Sequence, residues 1–498
     1  MVGIGALATG AAGIGVRPYV ELTFDSEGDA APGAREAVFG IEATDLLVFA
    51  HGWNSDRSTA VRLFDRFYAP FADLVGTGAR LGYVGVVWPS IRFSDEPIPD
   101  FDGPGGAFGS PVGGAATGPV GGLGDGLVGG PVGGPGGGAV GGPGGGAEPV
   151  HGVALDRTTR QALGAFWPGR AAELDRIAEL LALRPAHEGA FAEFGALVRE
   201  LAGVDGVGAG DDLAAAFAPR EVPAFLTEDV IEVCRTFTEA LARAGARLPE
   251  ESAEGSVEGS SVGSSEGFPG ARFSVGGGLR TLWNGAKEVL RQATYYQMKA
   301  RAGVVGEHGL GPVLAELSGR RPALRVHLIG HSFGGRVTSF ALRALPVGAR
   351  NVKSVTLLQG AFSHYAFAES LPHDPGRGGA LRGLQARVDG PVSACHSPHD
   401  SSLKVFYPLA SRMAGDSAGL LGFDERWGAI GHDGVRGVPG APRLTLDAAL
   451  RGGLPTTGCV SVDAGSVVRR GGAPSGAHSD ICHEELARLV VTAGRMGR

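Results

Sequence analysis

Cysteine is scarce in this chain of 498 residues: Cys234, Cys395, Cys459 and Cys482 stand at wide, irregular spacing, and no C-x-x-C pair occurs. That argues against a disulfide framework or a structural zinc knuckle and leaves four reduced thiols. Positive charge is also short. With 44 Lys and Arg against 52 Asp and Glu, the net charge of -8 offers no basic footprint for nucleic acid. No span of 18 or more residues is strongly apolar and charge-free, so stable membrane insertion is not expected. The first sixteen residues are small and glycine-interrupted and lack a basic n-region. A secretory signal is therefore disfavoured and a cytoplasmic location is the expectation.

What the chain has in excess is glycine, 87 residues, much of it in one tract. Between 96 and 150, repeats such as Gly133-Gly-Pro-Gly-Gly-Gly-Ala-Val-Gly-Gly-Pro143 carry few aromatics and almost no charge. Such a stretch cannot bury enough apolar surface to offset its ordering entropy, so it reads as a disordered linker. A phosphate-cradling loop would need a strand before it and a Lys-Ser/Thr end, and it has neither. A second biased run, residues 251–278 and rich in Ser, Gly and Glu, reads as a flexible linker. Between the two, residues 151–250 show apolar positions three and four apart over 171–183, 191–201 and 226–248, the last with Thr227 as candidate cap. This helical insertion would sit as a cap on a discontinuous core formed by residues 1–95 and 279–498.

The core alternates strand and helix, which implies an α/β fold with a mostly parallel sheet. Pro18–Phe24 alternates like an edge strand, whereas Asp45–Ala50 and Tyr83–Trp88 are continuous apolar runs suited to strands covered on both faces. A helical pattern over 279–298 and 312–317 precedes a further buried strand at 324–330. Later come strands at 354–358, 391–395 and 459–462, and a closing helix at 484–491.

The strand at 324–330 runs into Gly330-His331-Ser332-Phe333-Gly334, followed by helical spacing at Val337, Phe340, Ala341, Ala344 and Leu345. Glycine two residues either side of a serine is what a sharp strand-to-helix elbow demands, because crossing backbones leave no room for a Cβ. A serine hydroxyl needs a base to take its proton, and the base needs an acid to hold its tautomer. Asp400, just beyond the strand at 391–395, and His478, after the last strand, follow Ser332 in the order Ser, Asp, His. Asp463 also follows a strand and competes with Asp400, while Asp389 precedes one and falls at the wrong end of the sheet. His483 competes with His478 but opens a helix beside Glu484 and Glu485. For the oxyanion, Phe333 offers the N–H after the nucleophile, and His51-Gly52-Trp53 offers a second, with Trp53 the donor and His51 bracing the loop. A metal reading uses His396, His399, Asp400, His478, Asp480 and His483 as ligands for a hydrolytic zinc, although no H-E-x-x-H helix is present.

With His51-Gly52, Trp88-Pro89-Ser90, Gly330-His331-Ser332-Phe333-Gly334-Gly335, Asp400 and His478 in place, the chain resembles the alpha/beta-hydrolase superfamily, in particular its poorly characterised bacterial members. The resemblance covers residues 18–95 and about 279–495. It implies an eight-stranded, mostly parallel sheet with helices on both faces. It also implies hydrolysis of a small acyl-ester substrate through an acyl-enzyme, with no cofactor. The oxyanion donor would come from the loop after the third strand of such a sheet. The insertion departs from the pattern, lying before the elbow rather than after the strand that follows it. The rival expectation is a protein of this fold that is catalytically inactive and binds a partner through its helical insertion.

Overall fold

Eight strands, all parallel, form one sheet in the order β1-β3-β2-β4-β5-β6-β8-β7 in the computed structural model. They are β1 (Tyr19–Thr23), β2 (Asp45–Ala50), β3 (Leu81–Val87), β4 (Arg325–His331), β5 (Val352–Leu358), β6 (Pro391–His396), β7 (Arg443–Thr445) and β8 (Gly458–Asp463). The structure describes residues 14–93, 153–203, 224–248, 275–372, 374–413 and 427–497. The tract at 96–150 and nearly all of 251–278, read above as linkers, lie outside these residues.

Why the sheet is covered on both faces follows from β2, whose six residues are all buried. Phe49 packs against Phe64, Phe67 and Tyr68 of helix α2 (Arg57–Tyr68), at ring separations of 5.3, 4.9 and 6.2 Å. Leu46 and Val48, pointing the other way by the two-residue period of a strand, join an apolar core with residues of the later helices. α2 starts where it does because Asp56 accepts a hydrogen bond from the Thr59 N–H at 2.7 Å, satisfying one of the orphan donors of the first turn.

Helices α4 (Arg157–Phe166), α5 (Ala171–Leu183), α6 (Glu188–Leu201) and α7 (Val230–Arg243), with a single turn at Ala224–Thr227 before α7, are the described helices of the insertion; α1 (Ala34–Phe39) and α3 (Phe71–Val75) belong to the first half. The cap of α7 is Asp229, not Thr227: its carboxylate accepts from the Ile231 and Glu232 N–H groups, which a carboxylate at the positive helix end does better than a hydroxyl. The insertion packs on α8 (Val275–Val304), a 30-residue helix. Its Trp283 is buried, stacks on Phe191 at 4.4 Å and donates to the Pro185 carbonyl. One apolar core therefore continues from the sheet through α8 into α5, α6 and α7, and insertion and sheet belong to the same unit. α8 passes through a π turn at Val305–Leu310 into α9 (Gly311–Arg320), so the two helical stretches of the sequence are nearly continuous. Beyond β4 come α10 (Phe333–Ala341), α11 (Tyr407–Met413) and α12 (Glu484–Gly494). No helix among the described residues is long and apolar enough to cross a membrane.

Gly285 marks the closest approach of insertion and core, since a Cβ there would lie 1.8 Å from the Cys234 carbonyl oxygen of α7. Gly285→Ala should lower the unfolding free energy by roughly 1–3 kcal/mol through overpacking. Gly164→Ala, in α4 with nothing within 4 Å of the new methyl, should raise it by about 0.5–1 kcal/mol through helix propensity. Urea unfolding of both variants checks the pair; a neutral Gly285→Ala would contradict the packing.

Candidate active site

Strand order reverses between β2 and β4: from β2 the chain moves outward to β3, and from β4 it moves the other way through β5 to β6. Loops leaving the carboxyl ends of those two neighbours diverge, and a crevice opens between them. Ser332 follows β4 on one side of it, and His51-Gly52-Trp53 follows β2 on the other. In chain order that loop succeeds the second strand rather than the third.

Ser332 has φ 53° and ψ -121°, a backbone conformation that a residue with a side chain rarely adopts. It is held there from both sides. Its N–H donates to the Leu358 carbonyl, and its own carbonyl accepts from the Gly335 and Ala361 N–H groups. The flanking glycines are required by contact: a Cβ at Gly334 would lie 1.9 Å from the Ala50 oxygen, and one at Gly330 would lie 2.4 Å from the Gly334 oxygen.

His478 Nε2 stands 2.9 Å from Ser332 Oγ, and His478 Nδ1 stands 2.7 Å from Asp400 Oδ2. The carboxylate accepts from Nδ1–H, so Nε2 is left with the lone pair that accepts the Ser332 hydroxyl proton. Asp400 is fully covered while the His478 side chain keeps 15% of its surface exposed, so the line opens to solvent at the imidazole. The second Asp400 oxygen accepts from the Leu403 N–H at 2.9 Å. An isolated bridge between Asp400 and Gly476 ties the acid's loop to the loop of His478.

The rivals fall elsewhere. Asp463 is exposed and accepts from the Gly465 N–H, and Asp389 pairs with Lys353 before β6, at the opposite end of the sheet. His483 donates to Asp480, whose other oxygen accepts from the Arg469 and Arg470 N–H groups. Four of the six residues of the metal reading thus form two separate pairs, Asp400 with His478 and Asp480 with His483, and among the described residues no cluster of three or more His, Cys, Asp or Glu could hold a metal ion.

A second serine-histidine-carboxylate line exists at the amino ends of the strands. His327 Nδ1 is 3.0 Å from Ser354 Oγ, and its Nε2 is 3.0 Å from Asp45 Oδ1, which also pairs with Arg325. All three groups are buried within β2, β4 and β5. Ser354 lies inside a strand paired to its neighbours, so this line braces the sheet and presents no nucleophile.

Two backbone donors stand beside Ser332. Phe333 is the first residue of α10, where the N–H has no partner in the helix. Gly52 packs directly on the serine, since a Cβ there would lie 2.7 Å from Ser332 Cβ. The next N–H, that of Trp53, makes no hydrogen bond among the described residues. His51 braces this loop: its Nδ1–H donates to the Gly52 carbonyl at 2.8 Å, its Nε2 accepts from the Trp88 N–H, and its ring stacks on Trp88.

His331 and Tyr295 were not singled out as site residues from the sequence. His331 Nε2–H donates to the His478 carbonyl at 2.9 Å, tying the Ser332 turn to the loop of His478. Its place next to Ser332 was the available signal. Tyr295, on α8, packs against both Trp53 and Phe333 at ring separations of 5.5 and 4.9 Å. Only the fold brings it there. No family model, curated protein or solved structure matches the chain, so the chemistry of the site rests on this geometry.

Burial lowers His331 from its ordinary 6.5 to about 3, and His51 to about 4. Above pH 6.5 both are neutral in folded and unfolded chains, and their contribution is complete. As pH falls, the unfolded chain binds protons that the folded chain refuses until about pH 4 and 3, so stability drops across that window. His331→Leu should reduce the slope of unfolding free energy between pH 6 and 4 by about 1.4 kcal/mol per pH unit. Urea titrations at several pH values measure it; an unchanged slope would mean that His331 is charged or exposed.

Proposed function

We propose that the chain is a serine hydrolase of the alpha/beta-hydrolase type, acting on carboxylic esters through an acyl-enzyme. One observation carries this reading: a continuous hydrogen-bonded line from Ser332 Oγ through His478 to Asp400, beside two backbone N–H groups at the switch point of a parallel sheet. The all-parallel eight-stranded sheet and the strained elbow at Ser332 support the fold assignment.

In this reading His478 Nε2 takes the Ser332 hydroxyl proton as Oγ attacks the acyl carbon. Negative charge gathers on the carbonyl oxygen and is met by the Trp53 and Phe333 N–H groups, with the amino end of α10 adding a favourable dipole. Asp400 keeps the imidazole in the Nδ1–H tautomer and stabilises the cation that forms. The tetrahedral intermediate collapses, the leaving alkoxide takes the proton from His478 Nε2, and the ester bond is broken. Water then repeats the sequence: His478 accepts its proton, the hydroxide attacks the acyl-enzyme, and Ser332 recovers its hydrogen as the acid departs. No cofactor has a role in these steps.

Turnover of 4-nitrophenyl esters tests this. Ser332→Ala and His478→Ala should fall to background, and Asp400→Asn should lower kcat by roughly a thousandfold or more by presenting the wrong hydrogen-bonding partner to Nδ1. Asp463→Asn should stay close to wild type. Retention of most activity in Ser332→Ala would reject the mechanism, and a collapse in Asp463→Asn would reassign the acid.

A further inference from the structure

Two buried hydrogen-bond donors beside the oxyanion loop have no partner among the described residues: the Trp53 indole Nε1–H and the Tyr295 hydroxyl. Buried Tyr O–H and Trp N–H groups ordinarily find one, and leaving such a group unsatisfied costs about 1–3 kcal/mol. Here the two rings are neighbours, 5.5 Å apart and nearly perpendicular at 82°. Tyr295 also lies 4.9 Å from the ring of Phe333, the residue that follows Ser332. Burial holds the Tyr295 phenol well above its ordinary pKa, so it stays protonated and able to donate. Trp53 Nε1 can only donate. Both orphan donors therefore call for an acceptor, and their common position is beside the nucleophile.

Resting on the reading that Ser332 attacks an ester, we infer that Tyr295 and Trp53 form a hydrogen-bonding wall on the acyl side of the site, and that the natural acyl group carries an oxygen acceptor. The acyl side follows from the directions of the chemistry. The leaving group must face His478, which protonates it, and the rings around Tyr295 are Trp53, Phe333 and Tyr407, with His478 not among them. The rings against Tyr295 are aromatic, so a plain alkyl chain would leave both donors unmatched. A site built around hydrogen bonding rejects the analogue that lacks the bonding atom more strongly than an apolar pocket rejects a size difference.

The test uses methyl 3-methoxypropanoate and methyl pentanoate, which differ by one ether oxygen in place of a methylene. Binding is measured by ligand-observed NMR titration to the full chain carrying Ser332→Ala, where hydrolysis does not intrude. The ether ester should bind about three- to tenfold more tightly, and adding Tyr295→Phe should remove most of that preference while keeping the ring. Equal affinities, no measurable binding of either ester, or a preference untouched by Tyr295→Phe would overturn the inference. Hydrolysis of the same esters by the wild-type chain is scored separately. A binding preference without any wild-type turnover supports the wall and counts against the hydrolase reading alone.

Discussion

Everything at the carboxyl rim depends on how closely two loops pass one another at the switch point. Gly334 lies against the Ala50 oxygen of β2, Gly330 against the backbone of Gly334, and Gly52 against Ser332 Cβ. A methyl group at Gly334 or Gly52 would force the elbow and the β2 loop apart, and one at Gly330 would open the elbow itself. The positive φ of Ser332 follows from that crowding, as does the position of its hydroxyl. Strain of this kind, of order 1–3 kcal/mol, persists only where surrounding structure over-determines it. Hydrogen bonds from β5 and the residues after it do so here.

Electrostatics then distinguishes the two serine-histidine-carboxylate lines of the molecule. Both have hydrogen bonds of ordinary length and buried carboxylates. At the amino end, His327 links β2, β4 and β5, and Arg325 neutralises Asp45. At the carboxyl end, the Asp400 charge faces a histidine that reaches solvent, and no arginine or lysine pairs with it among the described residues. A carboxylate so placed stabilises positive charge on the imidazole, the state that accepting a serine proton creates. Hydrogen-bond geometry alone would have made the two lines look equivalent. Position relative to the switch point and the elbow separates them.

Much of this was readable from residue order because glycine spacing and buried strands are local signals. Gly330 and Gly334 announced the elbow, and the long apolar runs announced β2, β3 and β4. Asp400 and Asp463 could not be separated with certainty in the same way, since each follows a strand. What separates them is the bridge from Asp400 to Gly476, a contact between residues far apart in sequence. β7 went unread because Arg443-Leu-Thr445 has three residues and one apolar side chain. The cap of α7 was misplaced by two residues because Thr227 and Asp229 are both good caps and the local pattern does not choose. The helical pattern over 279–298 and 312–317 left the segment between them unassigned. There Gly306 and Gly311 let the π turn and α9 press on α10. Tyr295 was invisible as a site residue, because only the packing of α8 on the elbow places it beside Ser332.

The central claim is that Ser332 is an activated nucleophile, and reaction with a fluorophosphonate followed by peptide mapping addresses it most directly. The account predicts one phosphonylated peptide, carrying the label on Ser332 and disappearing in His478→Ala. A folded chain that takes up no label, or that takes it up with Ser332 unmodified, would contradict it.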